Sequence, residues 1–126
     1  MGSLIYKSVV IKGQGLASEY LVPTANLDPN ILNNSVLVHG VFLCCLKVAD
    51  FSGFGLLHFG KRSATDQNIS LEMHIMDFDR DIYGQVLEFE VIKFIRPIKE
   101  FSGLQELKNQ ILYDLKITRE YVKKNY

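Results

Sequence analysis

The sequence is poor in several features that would mark a particular class of protein. Tryptophan is absent, and only two cysteines occur among 126 residues. Cys44 and Cys45 are adjacent, so their side chains point to opposite faces of an extended chain and cannot crosslink distant segments. This excludes a disulfide framework. His39, His58 and His74 are scattered singly and lack the spacing of a zinc site.

Charge of one sign and long apolar runs are also missing. Fourteen basic residues cancel fourteen acidic ones, which argues against a nucleic-acid partner or an anionic lipid surface. No apolar run approaches the roughly 18 residues needed to cross a bilayer. The segment Met1–Lys7 has neither the basic start nor the apolar centre of a secretory signal. We therefore expect a cytoplasmic protein that binds neither nucleic acid nor membrane.

What is present suits one compact domain over residues 1–126, with 48% hydrophobic and 22% charged residues. Apolar and polar residues largely alternate within Leu71–Met76 and Leu87–Val91, which predicts half-buried antiparallel strands. The Asp-rich segment Asp77–Gly84 predicts a hairpin connection between the last two strands. In all, β-branched and aromatic residues predict at least five strands: Val9–Ile11, Leu37–Val48, Phe54–Phe59, Ile69–Met76 and Gln85–Ile95.

The composition changes after Pro97, which blocks further strand pairing. Ser102 is a predicted N-cap, and it precedes an amphipathic helix from about Gly103 to about Lys123. The residues predicted to form its buried stripe recur at three- and four-residue steps: Leu104, Leu107, Ile111, Leu115 and Thr118. The fold class is mainly β, a small antiparallel barrel or strongly bent sheet covered at one end by a C-terminal helix.

Two segments near the N-terminus could bind a phosphorylated ligand. The glycines of Gly13-Gln14-Gly15, followed by Ala17-Ser18, let backbone N–H groups approach a phosphate, although such a segment can also be a plain turn. In Pro23-Thr24-Ala25-Asn26, the side chains of Thr24 and Asn26 project to the same side of an extended chain. Their neutral oxygens suit Mg²⁺. The alternative is an Asx or Ser/Thr turn in a surface loop.

Glu72 is a carboxylate within an otherwise apolar strand, on the same face as His74. A buried acid needs a partner or a role, and desolvation raises the pKa of a carboxylate toward the range of a general base. Glu72 is therefore a candidate base. The alternative is that this face of the strand is simply exposed to solvent.

Together these segments resemble the riboflavin kinase family, over nearly the whole chain. The resemblance is carried most specifically by the tetrad Pro23–Asn26 and by Glu72-x-His74 followed by Tyr83-Gly84. Further pieces match in order and spacing: Gly13-x-Gly15, Gly40-Val41-Phe42, Gly60, Thr65, Phe94–Pro97 and Phe101–Asp114. The resemblance implies a six-stranded Greek-key barrel with a C-terminal helix.

The resemblance also implies an activity, the transfer of the ATP γ-phosphoryl group to the 5′-hydroxyl of riboflavin, giving FMN and ADP. It implies Thr24 and Asn26 as ligands of Mg²⁺ or another divalent cation, Glu72 as the catalytic base, and the helix after Ser102 as a wall of the flavin pocket. The implied cofactor-binding residues are Gly13, Gly15, Ala17, Ser18, Thr24, Asn26 and Tyr83. We expect a monomer.

The chain departs from the family pattern on the nucleotide side. Ala17-Ser18-Glu19 stands where relatives usually carry basic residues, Leu21 stands in place of a glycine, and Ser63-Ala64-Thr65 stands in place of a Pro-Thr pair. Lys12, Lys61 and Arg62 are possible sources of compensating positive charge. The alternative function is therefore a catalytically impaired homologue that acts as a flavin-binding or interaction module.

Overall fold

The computed structural model describes residues 4–11, 24–61 and 67–126. Within them the chain forms one long helix, α1 (Leu104–Asn125), and a short 3-10 helix at Pro29–Leu32. No helix in these ranges is long and apolar enough to cross a membrane. The strands of the described residues are β1 (Ile5–Val9), β2 (Thr24–Leu27), β3 (Gly40–Val48), β4 (Phe51–Gly60), β5 (Ser70–Ile75) and β6 (Val86–Arg96).

The six strands form one antiparallel sheet in the order β1-β6-β3-β4-β5-β2. Strands β3, β4 and β5 are consecutive neighbours and β6 returns to pair with β3, which is a Greek-key arrangement. An isolated bridge between Ile11 and Asn26 links the chain after β1 to the opposite edge strand β2. The sheet thus curls into a half-barrel. The predicted fold class, a mainly β antiparallel Greek key of six strands with a C-terminal helix, is confirmed.

The hairpin predicted at Asp77–Gly84 is wrong. Strand β5 pairs with β4 and β2, whereas β6 pairs with β3 and β1. The segment is the long Greek-key connection, and Phe78 and Ile82 anchor it in the core of the barrel. Left-handed backbone angles at Asp77 (φ 59°) and Gly84 (φ 84°) form its bends. Alternating hydrophobicity locates a strand but does not identify its neighbours.

The apolar residues divide into an interior core and a smaller outer cluster. The interior takes alternate residues of the central strands, among them Phe42, Leu57, Met73 and Phe89. The outer cluster lies between the sheet and α1 and consists of Val41, Leu56, Met76, Ile111 and Leu115. Both faces of the sheet are therefore buried over β3 and β4. The inner face packs in the barrel core, and α1 covers the outer face.

Helix α1 begins one residue later than a Ser102 N-cap would place it. Gly103 occupies the cap position and makes no side-chain cap hydrogen bond. Instead, the backbone N–H of Ser102 donates to the Glu106 carboxylate at 2.8 Å, and this bond lowers the pKa of Glu106. Leu104, predicted to be on the buried stripe, is 53% exposed, whereas Ile111, Leu115 and Thr118 are buried as predicted.

A buried ion pair fastens α1 to the end of β6. The Arg96 guanidinium donates to both carboxylate oxygens of Asp114, with Nε–Oδ1 at 3.1 Å and Nε–Oδ2 at 2.9 Å. Gln110 donates a further hydrogen bond to Asp114 at 2.9 Å. The side chain of Asp114 is only 4% exposed, so its charge depends on these partners. β6 ends at Arg96, as the following Pro97 predicted.

Candidate functional site

Strand β2 carries the tetrad residues that sequence analysis singled out. The alternative of an Asx or Ser/Thr turn in a surface loop is wrong, because Thr24–Leu27 forms an edge strand paired with β5. The extended conformation is confirmed, and so is the common side of the two residues. Ala25 and Leu27 are buried in the barrel, whereas Thr24 and Asn26 are half-buried on the other face.

Strand β5 places Glu72 and His74 on that same outer face. Leu71, Met73 and Ile75 belong to the interior core, so the intervening residues point outward. Glu72 is nevertheless only 8% exposed and His74 only 6% exposed. The expectation that they share a face is confirmed, and the alternative of a solvent-exposed face is wrong.

The strand register brings these residues together. Asn26 lies directly opposite Glu72, and Thr24 lies directly opposite His74. Residues directly opposite in an antiparallel pair have Cβ atoms about 4.5–5.5 Å apart. Thr24 Oγ1 and His74 Nδ1 are hydrogen-bonded at 3.0 Å. The arrangement therefore combines two side chains with neutral oxygens, a buried carboxylate and an imidazole on one patch of the sheet.

His58 belongs to this patch and was missed as a functional candidate. It lies on β4 directly opposite Glu72, and it is half-buried. A signal was available, because His58 stands between Leu57 and Phe59, two inward-facing residues of the interior core, so its own side chain must face outward. Periodicity alone could not reveal that its neighbour across the sheet is Glu72.

Of the other predicted binding residues, only Tyr83 lies within the described part of the chain. Gly13, Gly15, Ala17 and Ser18 lie outside the described residues. Tyr83 is 58% exposed in the connection before β6, and its backbone N–H donates to the Asp81 carboxylate at 3.0 Å.

Backbone hydrogen bonds tie the Tyr83 turn to the edge of the site. The N–H of Gly84 donates to Val10 at 2.9 Å, and the N–H of Ile11 donates to Asn26 at 2.8 Å. Ile11 is the last described residue before the glycine-containing segment, and Thr24 is the first after it. Both described ends of that segment therefore lie next to the candidate metal ligands.

The residues present fit a hard divalent cation. A threonine hydroxyl and an asparagine amide oxygen are the neutral oxygen donors that Mg²⁺ accepts when phosphate and water supply the rest of its shell. Both side chains lie on one face of β2, two residues apart, so their oxygens can approach the same point in space.

Comparison with solved structures first identifies the fold. The crystal structure of riboflavin kinase from Trypanosoma brucei matches this fold with a TM-score of 0.70 at 21% identity, covering 99% of this chain and 84% of that one. The sequence then gives the family. The family model "Flavokinase: Riboflavin kinase" matches residues 3–122, and the chain belongs to the riboflavin kinase family.

Curated relatives are similar over most of this chain but are longer proteins. The trifunctional protein RibF/MnmA of Mycoplasmoides gallisepticum is 34% identical over 94% of this chain and 18% of its own length. The RNA-binding riboflavin kinase RibR of Bacillus subtilis is 32% identical over 88% of this chain and 48% of its own length. The chain thus spans less than half the length of either relative.

Proposed function

We propose that this chain catalyses the phosphorylation of riboflavin by ATP, giving FMN and ADP. The observation that carries the proposal is the register of β2 and β5, which sets Asn26 opposite Glu72 and Thr24 opposite His74 on one face. Family membership supports the reaction, and the register supports this face of the sheet as its site. The two candidate metal ligands and the candidate base lie on adjacent strands.

Thr24 and Asn26 would hold Mg²⁺ through their side-chain oxygens. When bound, the cation would neutralise charge on the phosphates of the nucleotide. Because β2 is paired with β5 along its whole length, the backbone that carries the two side chains is ordered before any ligand binds. Such preorganisation is what phosphoryl transfer requires, since positioning and electrostatic stabilisation provide most of its catalysis.

Glu72 would accept the proton of the ribityl 5′-hydroxyl as that oxygen attacks the γ-phosphorus. Glu72 is 8% exposed and lies on the strand next to the candidate metal ligands. Low exposure strengthens electrostatic interactions and limits competition from water as the nucleophile. The backbone N–H groups of Gly13, Gly15, Ala17 and Ser18 would bind the phosphates, and Tyr83 would contact the nucleotide.

Three further properties belong to the proposal. Residues 1–126 would act as one domain and as a monomer, and a cytoplasmic location would supply ATP. No nucleic-acid partner is proposed, although the relative from Bacillus subtilis is named an RNA-binding protein. The equal numbers of basic and acidic residues support this choice.

The test is incubation of the purified chain with riboflavin, ATP and Mg²⁺, followed by chromatography for FMN. FMN formation above that of Glu72→Gln supports the kinase. Glu88→Gln is the matched control, because Glu88 lies on β6 and pairs with exposed Lys7 at 3.2 Å. If no FMN forms but riboflavin still binds, the chain is a flavin-binding module and the proposal fails.

A further inference from the structure

The hydrogen bond between Thr24 and His74 links β2, which carries the candidate metal ligands, to β5, which carries the candidate base. Thr24 Oγ1 lies 3.0 Å from His74 Nδ1, and the two residues face each other across β2 and β5. His74 is 6% exposed, so its ring is held among its neighbours. Thr24 is an edge-strand residue and is only half-buried.

The direction of this bond decides what the threonine oxygen can offer a cation. A hydroxyl has one hydrogen and two acceptor lone pairs, and its hydrogen rotates to suit its surroundings. If Nδ1 accepts, the hydrogen points at the ring and the ring uses neither lone pair. If Nδ1 donates, one lone pair is consumed. A cation needs a lone pair on the oxygen. A donating ring would compete with the cation for the lone pairs, whereas an accepting ring would not, so the accepting tautomer favours metal binding.

We propose that His74 is a positioning residue that holds the Thr24 hydroxyl with its hydrogen toward Nδ1 and its lone pairs toward the divalent cation. The inference rests on the proposed role of Thr24 as a metal ligand. It assigns His74 the Nε2–H tautomer, with a bare Nδ1. A cation on Oγ1 makes the hydroxyl a stronger donor, so the metal contact and the Thr24–His74 bond reinforce each other.

The expected loss of metal affinity follows from the effect of such positioning residues in known metal sites. Mutating a group that orients a metal ligand typically costs about 10- to 100-fold in metal affinity. Because the cation would also be held by Asn26 and by phosphate, the lower end of this range is expected, about tenfold. Flavin binding should change much less, because His74 would act on the metal through the Thr24 hydroxyl.

The first test measures metal binding without turnover. Free Mn²⁺ is followed by electron paramagnetic resonance during titration of the protein in the presence of ADP. His74→Leu should raise the Mn²⁺ dissociation constant about tenfold. His74→Asn should recover part of this loss, because its amide oxygen can accept near the position of Nδ1. Met73→Leu is the packing control, since Met73 is the neighbour that faces the barrel interior.

A double-mutant cycle separates this inference from the function on which it rests. In a Thr24→Ala background, His74→Leu should cause no further loss of Mn²⁺ affinity, because its effect passes through the missing hydroxyl. Additive losses overturn the positioning role, as does unchanged affinity in His74→Leu when Thr24→Ala has weakened binding. Unchanged affinity in Thr24→Ala overturns the metal assignment and the inference together, and FMN assays on Thr24→Ala then decide whether the kinase survives.

The second test reads the tautomer in the parent chain and uses a variant only to assign the signals. Long-range ¹H–¹⁵N correlation spectra of the three histidines report which ring nitrogen carries hydrogen, and the signals missing from His74→Asn identify His74. A protonated Nε2 with a bare Nδ1 supports the proposal. A neutral ring with hydrogen on Nδ1 overturns it, because that ring donates to Thr24.

Discussion

The outer face of the sheet has two halves that bury polar groups for different ends. Over β3 and β4 it is covered by α1, and the buried polar groups that attach this helix to the end of β6, Arg96 and Asp114, are hydrogen-bonded within 3.1 Å. Over β2 and β5 the buried polar groups are Glu72 and His74, next to half-buried neutral oxygens. In the helix-covered half, the buried charges bind to each other and attach the helix. In the β2–β5 half, the buried polar groups lie beside the half-buried side chains of the candidate site.

The largest effect is expected in the β2–β5 half, from Glu72→Gln. The amide keeps the shape of the side chain but removes the proton acceptor, and general base catalysis contributes about 10²- to 10⁴-fold. The turnover number for FMN formation should fall by that factor, with riboflavin affinity retained. A turnover number within threefold of the Glu88→Gln control would remove Glu72 from the role of base.

Next comes the ion pair of the helix-covered half. Arg96→Met leaves Asp114 buried without its partner, and breaking such a pair costs about 3–5 kcal/mol of unfolding free energy. Urea unfolding measures the change. The matched control is Arg119→Met, which breaks the Arg119–Asp77 pair at 2.9 Å. Both of those side chains are about half or more exposed, so the control should cost about 0–1 kcal/mol. Equal losses of unfolding free energy in the two variants would show that the buried pair stabilises the fold no more than the exposed pair does.

A smaller effect on activity is expected from the metal ligands. Thr24→Ala and Asn26→Ala each remove one oxygen from the proposed shell of the cation, which costs about 1.5–3 kcal/mol, roughly ten- to a hundredfold. The Mg²⁺ concentration at half-maximal activity should rise accordingly, and EDTA should abolish activity in the parent chain. Asn34→Ala, on an exposed residue, serves as control. Full activity in both variants at low Mg²⁺ would exclude them as ligands.

The smallest effect concerns the two adjacent thiols of β3. Burial raises the pKa of the Cys44 thiol, and burial together with Glu90, whose Oε2 is 3.5 Å from Cys45 Sγ, raises that of Cys45. At pH 8 a disulfide reagent should therefore attack only Cys45, and more slowly than a free cysteine, because the thiolate is the nucleophile. The rate should rise with pH, and Glu90→Gln should increase it a few-fold at pH 8. Faster attack on Cys44 would contradict the assignment of faces.

Much of this molecule could be predicted from local pattern. Alternation gave Glu72 and His74 a common face, and three- and four-residue steps gave α1 its buried Ile111 and Leu115. Both patterns follow from the geometry of a single element. The first strand was misplaced at Val9–Ile11, whereas β1 spans Ile5–Val9, because Ser8 is buried on the face where an apolar residue is expected.

What could not be predicted depends on which strands are neighbours. The pairing of β6 with β1 and β3, and the meeting of His58 with Glu72, join residues that no periodicity connects. The helix start was missed by one residue because Glu106 bonds the Ser102 N–H in place of a side-chain cap. The resemblance to riboflavin kinase assigns Thr24, Asn26 and Glu72 to one site, which no local pattern predicts.

The Greek-key order also has a consequence for how the chain is made. Among the described residues, strand β1 pairs with β6 alone, where Ile5 lies opposite Glu90, and Thr24 lies opposite His74, 50 residues further along the chain. During synthesis on a ribosome, β1 and β2 therefore cannot pair with β6 and β5 until most of the chain has emerged. Such non-local pairing slows folding and lengthens the exposure of strand edges. The proposed site is thus assembled late, and a truncation within β5 would leave β2 without the only strand it pairs with among the described residues.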